Sequence, residues 1–293
     1  MKVLNFGSLN IDYTYRLDHI VVPGETISSK SLEVFPGGKG LNQSVALAKA
    51  GVEVYHAGMI GKDGVFLKYF CEENGVYTEF IKEIDTRTGN AIIQVSDDGQ
   101  NSIILFPGAN RENTKEYVDI VLKHFESGDV LLLQNEINYV DYLIETGSQK
   151  GMKVVLNPSP FDSQLEKCDL SKVDIFLMNE VEGSQITGET NPHSILMKMR
   201  TLYPSATTVL TLGEEGSVYC SSEELYKQEA VKVEVVDTTA AGDTFTGYFL
   251  CGMVEGQQVQ KTLQMAAHAS ALAVGKKGAS VSIPRREAVS RRL

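Results

Sequence analysis

A short segment near residue 240 combines small side chains with a carboxylate. Thr239–Gly242 lead into Asp243, and apolar residues with helical spacing follow from Phe245. Small side chains let a phosphate approach the backbone, and the first turn of a helix offers unpaired N–H groups to an anion. A carboxylate at that turn can take a proton from an attacking hydroxyl. The segment therefore joins an anion hole to a general base, which predicts transfer of a phosphoryl group.

A second cluster of glycines lies at Pro36–Gln43, which reads PGGKGLNQ. It is not a P-loop, because Glu33 stands where that motif needs its first glycine. A dinucleotide fingerprint counted from Gly38 also fails, since Gln43 occupies its last position. Two interpretations remain open from the residues alone. The cluster is either a flexible loop before a helix or a backbone laid against a polyol, with Lys39 and Asn42 directed at its hydroxyls.

Buried strands and amphipathic helices must position these two segments. Val3–Leu9 and Val52–Ile60 are apolar runs typical of buried strands, and Gly40–Ala50 has helical spacing and ends before Gly51. From residue 114 onward helices and strands alternate, which predicts a mostly parallel sheet covered on both faces. The predicted helices are Lys115–Phe125, Val140–Gln149, Glu180–Ile186 and one opened by Asn191-Pro192; the predicted strands are Val130–Gln134, Lys153–Asn157, Ile175–Met178, Thr208–Leu212 and Ser217–Cys220.

Four other segments alternate polar and apolar residues, as half-exposed strands do. They are Asp12–Asp18, Lys30–Phe35, Ala91–Ser96 and Ser102–Phe106, and Asp98-Gly99 between the last two is a hairpin signal. We expect them to form a small antiparallel sheet. It would be inserted over residues 12–36 and 90–107 into a core of residues 1–11, 37–89 and 108–293.

Ligands of open parallel sheets bind at the carboxyl ends of the strands. Five residues fall at such ends: Asn10, Glu136, Asn157, Asn179 and Gly213. We therefore expect them to lie near a bound ligand.

Composition narrows the class of protein. The 293-residue chain has a formal net charge of −11, with 42% hydrophobic and 22% charged residues, which is typical of a globular protein. The sequence has no basic stripe, which argues against nucleic acid as a partner. Its four cysteines lie far apart without a C-x-x-C pair, as expected for reduced thiols. Because no apolar run has the length of a signal peptide or a membrane span, we expect a cytoplasmic protein.

The two glycine-containing segments together resemble the two signatures of the ribokinase (PfkB-type) family of sugar kinases. Gly37–Asn42 and Asp237–Asp243 stand about 200 residues apart, in the family's order. The resemblance covers nearly the whole chain, from Gly7 to Ala279. It implies a ribokinase-like three-layer αβα sandwich with a mostly parallel central sheet and a small antiparallel β lid. It also implies an ATP-dependent kinase that acts on a small sugar.

The resemblance implies roles for individual residues. Asp243 is similar to the family's catalytic base, and the amides of Ala241, Gly242 and Asp243 would form the anion hole. Sugar hydroxyls would contact Asn10, Asp12, Gly38, Lys39, Asn42, Glu136 and Asp243. The nucleotide would contact Asn179, Thr211, Gly213, Gly216, Gly242 and His268. Carboxylates and amides suit paired hydroxyls, and a sugar that leaves them unpaired is strongly penalised.

Two ions are also implied by the resemblance. Asn179 and Glu182 match an Asn-x-x-Glu motif that helps to organise Mg²⁺, a cation that keeps several of its waters. A monovalent cation, expected to be K⁺, would bind in an all-oxygen cage. Its residues are Asp237, Thr239, Ala273, Lys276, Gly278 and Ser282. Without the family, Glu182 is a solvated helix residue, His268 a packed histidine and residues 273–282 a helix end with a loop.

The chain departs from the family's pattern at three places. Ser44 stands where these kinases commonly have Ala, Gly61–Gly64 lacks a later glycine, and Val21–Pro23 in the lid is atypical. Of the three departures, Val21–Pro23 weakens the prediction of the sugar most, because this segment belongs to the lid.

The resulting hypothesis is phosphorylation of a small sugar at its primary hydroxyl by ATP. D-ribose is the expected substrate and ribose 5-phosphate the product, because the Gly-Gly-Lys-Gly-x-Asn-Gln form is most similar to ribose-specific members. The alternatives are another sugar (deoxyribose, another pentose or a hexose) and a non-catalytic binder of sugar or nucleotide. An NAD-dependent dehydrogenase would need the dinucleotide fingerprint that is missing. The edges of an exposed small sheet predict that two lids pair in a homodimer.

Overall fold

Thirteen strands form two sheets in the computed structural model, which describes residues 1–293. The strands are β1 (Val3–Phe6), β2 (Asn10–Leu17), β3 (Ser31–Gly37), β4 (Val54–Ile60), β5 (Tyr77–Glu83), β6 (Gly89–Ser96), β7 (Asn101–Phe106), β8 (Val130–Gln134), β9 (Lys153–Asn157), β10 (Ile175–Asn179), β11 (Thr207–Thr211), β12 (Ser217–Cys220) and β13 (Leu225–Gln228). The larger sheet has nine strands in the order β13-β12-β11-β10-β9-β8-β1-β4-β5. It is parallel except for the hairpin additions of β12 and β13 at one edge.

Helices cover both faces of the nine-stranded sheet. They are α1 (Lys39–Lys49), α2 (Val65–Glu73), α3 (Lys115–Leu122), α4 (Val140–Gln149), α5 (Glu180–Thr187), α6 (Pro192–Leu202), α7 (Ala241–Val254), α8 (Val259–Val274) and α9 (Arg286–Ser290). Alternate strand residues point to opposite faces, so Val130 belongs to the core on the side of α1, α2, α7 and α8, whereas Leu131 belongs to the core on the side of α3, α4 and α6. The resulting three-layer αβα sandwich confirms the predicted fold class.

The smaller sheet has the order β3-β2-β6-β7. Its outer pairs are antiparallel, but the central strands β2 and β6 run parallel. Two separate excursions from the core supply the two hairpins, and both leave the core in the same direction. The four predicted lid segments are therefore strands of one sheet, whose centre is parallel where an antiparallel sheet was expected. The division of the chain into core and lid ranges remains a prediction.

Most predicted elements are present within one or two residues of their expected bounds. Strand β1 is shorter than expected, because the chain leaves the sheet after Phe6 and passes against α1: a Cβ on Gly40 would lie 2.3 Å from the Ser8 nitrogen. Elements α2, β5, β13 and α9 were not predicted. None of the chain's helices combines the length and the apolar character that a membrane crossing requires.

Candidate active site

The first turn of α7 faces a cavity of about 210 Å³ at the carboxyl ends of β9, β10 and β11. The polar residues and small residues that line it come from both signature segments and from the strand ends: Lys39, Asn157, Asn179, Glu182, Thr211, Thr238, Ala240, Ala241, Gly242, Asp243 and Thr246. The strand ends Asn157 and Asn179 thus lie where the sheet topology predicted.

The start of α7 has free backbone donors. Ala240 precedes the helix with a left-handed backbone (φ 60°), and no side chain caps the first turn. The Ala241 N–H donates to the Thr238 carbonyl at 3.2 Å, whereas the N–H groups of Gly242 and Asp243 have no acceptor in the protein. Of the three amides expected to bind an anion, two are therefore free and the third is engaged with the preceding turn.

The carboxylate of Asp243 is where the two signature segments meet. It is only 8% exposed. Asn42 donates to its Oδ2 at 3.0 Å, and Gln43 donates to its Oδ1 at 2.9 Å. Both amides belong to α1, the helix that follows the glycine-rich loop. The carboxylate of Asp243 therefore accepts hydrogen bonds from two neutral side chains, which fix its position beside the free amides of α7.

Glu136 and Lys39 form the adjoining part of the site. Glu136 Oε2 accepts from the Lys39 backbone N–H at 3.1 Å and from the Ser8 hydroxyl. Burial raises the pKa of Glu136, against the opposing effects of Lys39 and Ser8. Burial alone would lower the pKa of Lys39, but the nearby charges of Asp243, Glu136 and Glu182 outweigh it and raise that pKa. Lys39 is therefore a fixed positive charge among carboxylates.

Strand β2 contributes Asn10 and Asp12. Desolvation, and then the charges of Glu136 and Asp243, raise the pKa of Asp12 from 3.8 to about 7. The side chain of Asn10 accepts from Asn110 Nδ2 at 2.7 Å, and Asn110 Oδ1 accepts from the Leu9 N–H at 2.9 Å. Asn110 was not predicted, because it lies in a short turn with no motif around it. Only the long-range contact reveals that it orients Asn10.

The glycine-rich loop brings the backbone close to β2. Gly38 has a φ of 94°, and a Cβ there would lie 3.0 Å from the Asn10 nitrogen. A side chain at this position would be strained and would crowd the strand that carries the predicted sugar contacts. The predicted sugar-binding residues Asn10, Asp12, Gly38, Lys39, Asn42 and Glu136 thus form one continuous group beside Asp243.

The predicted nucleotide residues divide into two sets. Asn179, Thr211 and Gly242 line the cavity, whereas Gly213, Gly216 and His268 do not. Gly216 has a structural reason to be glycine, because a Cβ there would lie 2.0 Å from the Gln228 carbonyl oxygen. His268 lies on α8 and its buried Nδ1 has no hydrogen-bond partner in the protein. Gly213 and His268 thus remain predicted contacts that lie outside this cavity.

Asn179 and Glu182 form a capping box at the start of α5. The Asn179 side chain accepts from the Glu182 N–H at 3.0 Å, and Glu182 accepts from the Asn179 N–H at 2.9 Å. Glu182 is only 7% exposed and lines the cavity, so it is not the solvated helix residue that the sequence also allowed. A buried carboxylate with an amide neighbour, facing the free amides of α7, fits a water-mediated Mg²⁺ site.

Three of the residues predicted to bind a monovalent cation, Asp237, Thr239 and Gly278, are joined by hydrogen bonds. Asp237 accepts from the Thr239 N–H at 2.9 Å and from the Gly278 N–H at 3.0 Å. Burial opposes these hydrogen bonds, which nevertheless lower the pKa of Asp237. The Ser282 hydroxyl lies in the same loop and donates to Ala279 O. The carboxylate of Asp237 and the hydroxyl of Thr239 are hard oxygen donors of the kind that suits a monovalent cation, and Ala273 and Lys276 remain predicted ligands.

The fold and site together define a kinase that uses ATP to phosphorylate a carbohydrate. A family model described as "pfkB family carbohydrate kinase" matches residues 1–286. The chain therefore belongs to the pfkB family of carbohydrate kinases. This result confirms the resemblance inferred from the two signature segments.

Individual relatives and solved structures agree with the family. The chain is 34% identical to a ribokinase of Lactococcus lactis over 298 residues, covering all of this chain and 97% of that protein. It is 30% identical to a deoxyribokinase of Salmonella typhi over 295 residues, covering 97% and 96% of the two chains. The structure of Arabidopsis thaliana ribokinase complexed with ribose and ATP superimposes with a TM-score of 0.88 at 31% identity, covering 99% of this chain and 97% of that one.

Proposed function

We propose that the chain transfers the γ-phosphate of ATP to the primary hydroxyl of D-ribose and so forms ribose 5-phosphate. The observation that carries the proposal is the placement of Asp243, a buried carboxylate held by two amides of the glycine-rich segment at the start of α7. The same turn offers two free N–H groups to a phosphate. General base and anion hole therefore share one helix end.

Each residue has a part in the proposed reaction. Asp243 takes the proton of the sugar's primary hydroxyl as that oxygen attacks the γ-phosphorus, and the bond from the γ-phosphorus to the bridging oxygen breaks to release ADP. The amides of Gly242 and Asp243 stabilise the negative charge on the transferred group. The Ala241 amide adds to this when its hydrogen bond to the Thr238 carbonyl is replaced by one to the phosphate. Asn10, Asp12, Lys39, Asn42 and Glu136 hold the other hydroxyls and so aim the attacking oxygen. The sugar thus reacts only when its hydroxyl pattern matches these side chains.

ATP binds in the cavity between the ends of β10 and β11 and the first turn of α7. Asn179, Thr211 and Gly242 would contact its phosphates, and Gly213, Gly216 and His268 would lie toward its base. Mg²⁺, when bound, offsets the charge of the β- and γ-phosphates. Glu182 and Asn179 would hold it through water. The oxygen donor set supports this ion, since Mg²⁺ prefers carboxylate and water ligands.

Ribose is favoured over other sugars by the similarity to ribokinases, whereas the deoxyribokinase relative supports deoxyribose as a second candidate. Turnover with ATP should be measured for ribose, 2-deoxyribose, other pentoses and hexoses. We expect the highest kcat/KM for ribose. A higher kcat/KM for deoxyribose would replace ribose as the assigned substrate, and binding without any turnover would point to the non-catalytic alternative.

A monovalent cation, K⁺ in this proposal, orders the loop that precedes the anion hole. Asp237 links residues 273–282 to that loop through the bond from Gly278, which supports a role without direct contact to substrate. Melting temperatures in potassium chloride and in choline chloride of equal strength test it. We expect K⁺ to stabilise the parent protein but not an Asp237→Ala variant. Equal melting temperatures of the parent in both salts would exclude the site.

The proposed active form is a homodimer in which two lids cover each other. Val34, Tyr13, Ile92 and Ile104 are directly paired across the smaller sheet and therefore share one face. Val34, Ile92 and Ile104 are 49%, 39% and 58% exposed, a row that a second lid would bury. Sedimentation of an Ile104→Lys variant should give monomers. Ile120→Lys, at a 54% exposed site on α3, is the matched control and should leave the dimer intact.

The lid, residues 12–36 and 90–107 in this proposal, closes over the bound sugar and excludes water, which limits hydrolysis of ATP. The remaining residues form the catalytic core.

The proposed location is the cytoplasm, which agrees with four free cysteines in the structure.

A further inference from the structure

A file of fully buried polar side chains runs behind Asp243, away from the cavity. Gln43, Gln134, Asn5, Ser44 and His56 have no exposed surface, and together they cross from α1 through β8 and β1 to β4. Buried polar groups are costly unless they are hydrogen-bonded, so such a file needs a reason. None of these side chains lines the cavity.

The hydrogen bonds of the file run outward from Gln134, toward Asp243 on one side and toward His56 on the other. Gln43 uses its amide N–H groups on Asp243 (2.9 Å) and Asn157 (3.1 Å). Gln134 then uses both of its N–H groups as well, one on Gln43 Oε1 at 2.7 Å and one on Asn5 Oδ1 at 3.0 Å. Gln134 is therefore the central double donor of the file.

At the end of the file that lies away from Asp243, the side chains of Asn5, Ser44 and His56 are also hydrogen-bonded. Asn5 donates to the Gly40 carbonyl at 2.7 Å and to Ser44 Oγ at 2.8 Å. Because that oxygen accepts, the Ser44 hydroxyl proton is free to donate to His56 Nδ1, 2.8 Å away. His56 then carries its proton on Nε2 and donates it to the Gly7 carbonyl at 3.2 Å. Burial lowers the pKa of His56 to about 4, so the ring stays neutral and Nδ1 remains an acceptor.

We propose that Gln134, acting through Gln43, is a positioning residue that keeps Asp243 oriented and able to accept the proton of the sugar hydroxyl. Gln43 can present either its N–H₂ or its carbonyl to Asp243, and only the first is compatible with a carboxylate. Gln134 selects the orientation in which the Gln43 N–H₂ group faces Asp243. It does so because both Gln134 N–H groups are donors, so the Gln43 oxygen must turn toward Gln134 to accept one of them. This inference rests on the proposed role of Asp243 as the base.

Two variants of Gln134 test the inference by the pH dependence of kcat at saturating sugar and ATP. Gln134→Glu places acceptors against the oxygens of Gln43 and Asn5 and thereby favours the reversed Gln43 amide. Gln134→Met removes both donors without adding a charge, so it decides the matter if the first variant fails to fold. We expect the acid limb of the kcat profile to move to higher pH by about one unit in Gln134→Glu and by less in Gln134→Met, because a hydrogen bond to the charged form favours that form.

Other ionisable groups face Asp243 and must be separated from this effect. They are Asp12 on β2, Glu136 after β8, Lys39 on α1 and, through Lys39, Glu182 on α5. Asp12 is the one whose pKa of about 7 falls in the working range. At saturating sugar, titration of Asp12 no longer changes the amount of sugar bound. Repeating the Gln134 variants in an Asp12→Asn protein then shows whether the acid limb of the kcat profile still moves when Asp12 cannot titrate.

The matched control is Asn135→Ala. Asn135 is also buried, at 3% exposed, and also donates twice, to the Pro160 carbonyl (2.7 Å) and Asp162 Oδ1 (3.0 Å), but none of its hydrogen bonds leads to Asp243. It should lower the melting temperature and leave the acid limb in place. If both Gln134 variants lose activity equally at every pH, as a structural defect would, the inference is wrong. Should an Asp243→Asn variant keep its turnover, the proposed function itself fails, which is a distinct result.

Discussion

The proposed phosphate side of the site and the proposed sugar side are built from different parts of the chain. The phosphate side consists of consecutive residues, Ala240–Asp243, and offers backbone N–H groups to its ligand. The sugar side draws Asn10, Lys39 and Glu136 from three distant segments and offers side chains. Chemistry is therefore encoded locally, whereas recognition depends on how the fold brings remote residues together.

The two sides also differ in electrostatics. Backbone amides at a helix start carry partial positive charge that cannot titrate. Carboxylates crowded on the sugar side do titrate, and burial with mutual repulsion raises the pKa values of Asp12 and Glu136. We therefore expect pH to act on sugar binding more than on phosphate binding.

The largest effect is expected at Asp243, which serves both sides. Replacing it as Asp243→Asn should lower kcat by at least ~10²-fold, because the base is lost while the shape of the site is kept. Calorimetry should find ATP binding retained. Asp85→Asn, an exposed aspartate with no hydrogen bond, is the control and should leave kcat unchanged. Turnover at the parental rate in Asp243→Asn would remove the general base from the proposal.

Gly242→Ala addresses the phosphate side alone. No protein atom lies within 4 Å of a Cβ at this position, so the added methyl would point into the phosphate site. We expect kcat/KM for ATP to fall roughly tenfold, since one donor of the anion hole is obstructed. Stability should rise by about 0.5–1 kcal/mol, because alanine favours a helix over glycine.

A second glycine of the same helix provides the contrast for this prediction. A Cβ on Gly247 would lie 2.4 Å from the Cβ of Ala46 on α1. Gly247→Ala should therefore lower the melting temperature, whereas Gly242→Ala raises it. If Gly242→Ala leaves kcat/KM for ATP unchanged, phosphate does not approach the start of α7.

The smallest effect is expected on the sugar side, where Asp12 titrates near neutrality. Ionised Asp12 is the better acceptor of sugar hydroxyls, so kcat/KM for the sugar should fall as pH drops below about 7. Asp12→Asn should lower kcat/KM and flatten this dependence. A pH profile of the variant that still bends near 7 would assign the titration to another group.

Stability should respond in the opposite sense in the sugar-free protein. Because folding raises the pKa of Asp12 from 3.8 to about 7, the protonated carboxyl stabilises the fold at low pH. That stabilisation is lost as pH rises through this interval. Asp12→Asn should therefore melt at a higher temperature than the parent at pH 8 and at the same temperature below pH 4.

Sequence patterns predicted elements well where periodicity was regular. The bounds of Val130–Gln134, Val140–Gln149 and Lys153–Asn157 agree fully with the structure. Tyr77–Glu83 and Val65–Glu73 were missed, although the helix turns Leu67 and Cys71 into the core and the strand buries Thr78 and Ile81. The parallel pairing of β2 and β6 could not be predicted either, since it depends on how two remote hairpins meet.

The roles of the candidate site residues remain predictions, but their positions can be compared with the structure. Contiguous signatures singled out Asp243 and Lys39, which both line the cavity, but Gln43 was noted only as part of a motif and not as a hydrogen-bond donor to Asp243. Asn110 and Gln134 carried no signal at all, because a lone amide in a turn or at a strand end has many ordinary explanations.

The amino-acid sequence by itself determined the layered α/β fold, the helix that starts at the small residues before Asp243, and the family. These follow from periodicity and from local backbone rules, which act over a few neighbouring residues. Only the tertiary structure decided which amides hold Asp243, how far Asp12 is desolvated and which cavity residues face each other. Such properties depend on distances between segments up to about 200 residues apart, and no local pattern in the chain specifies them.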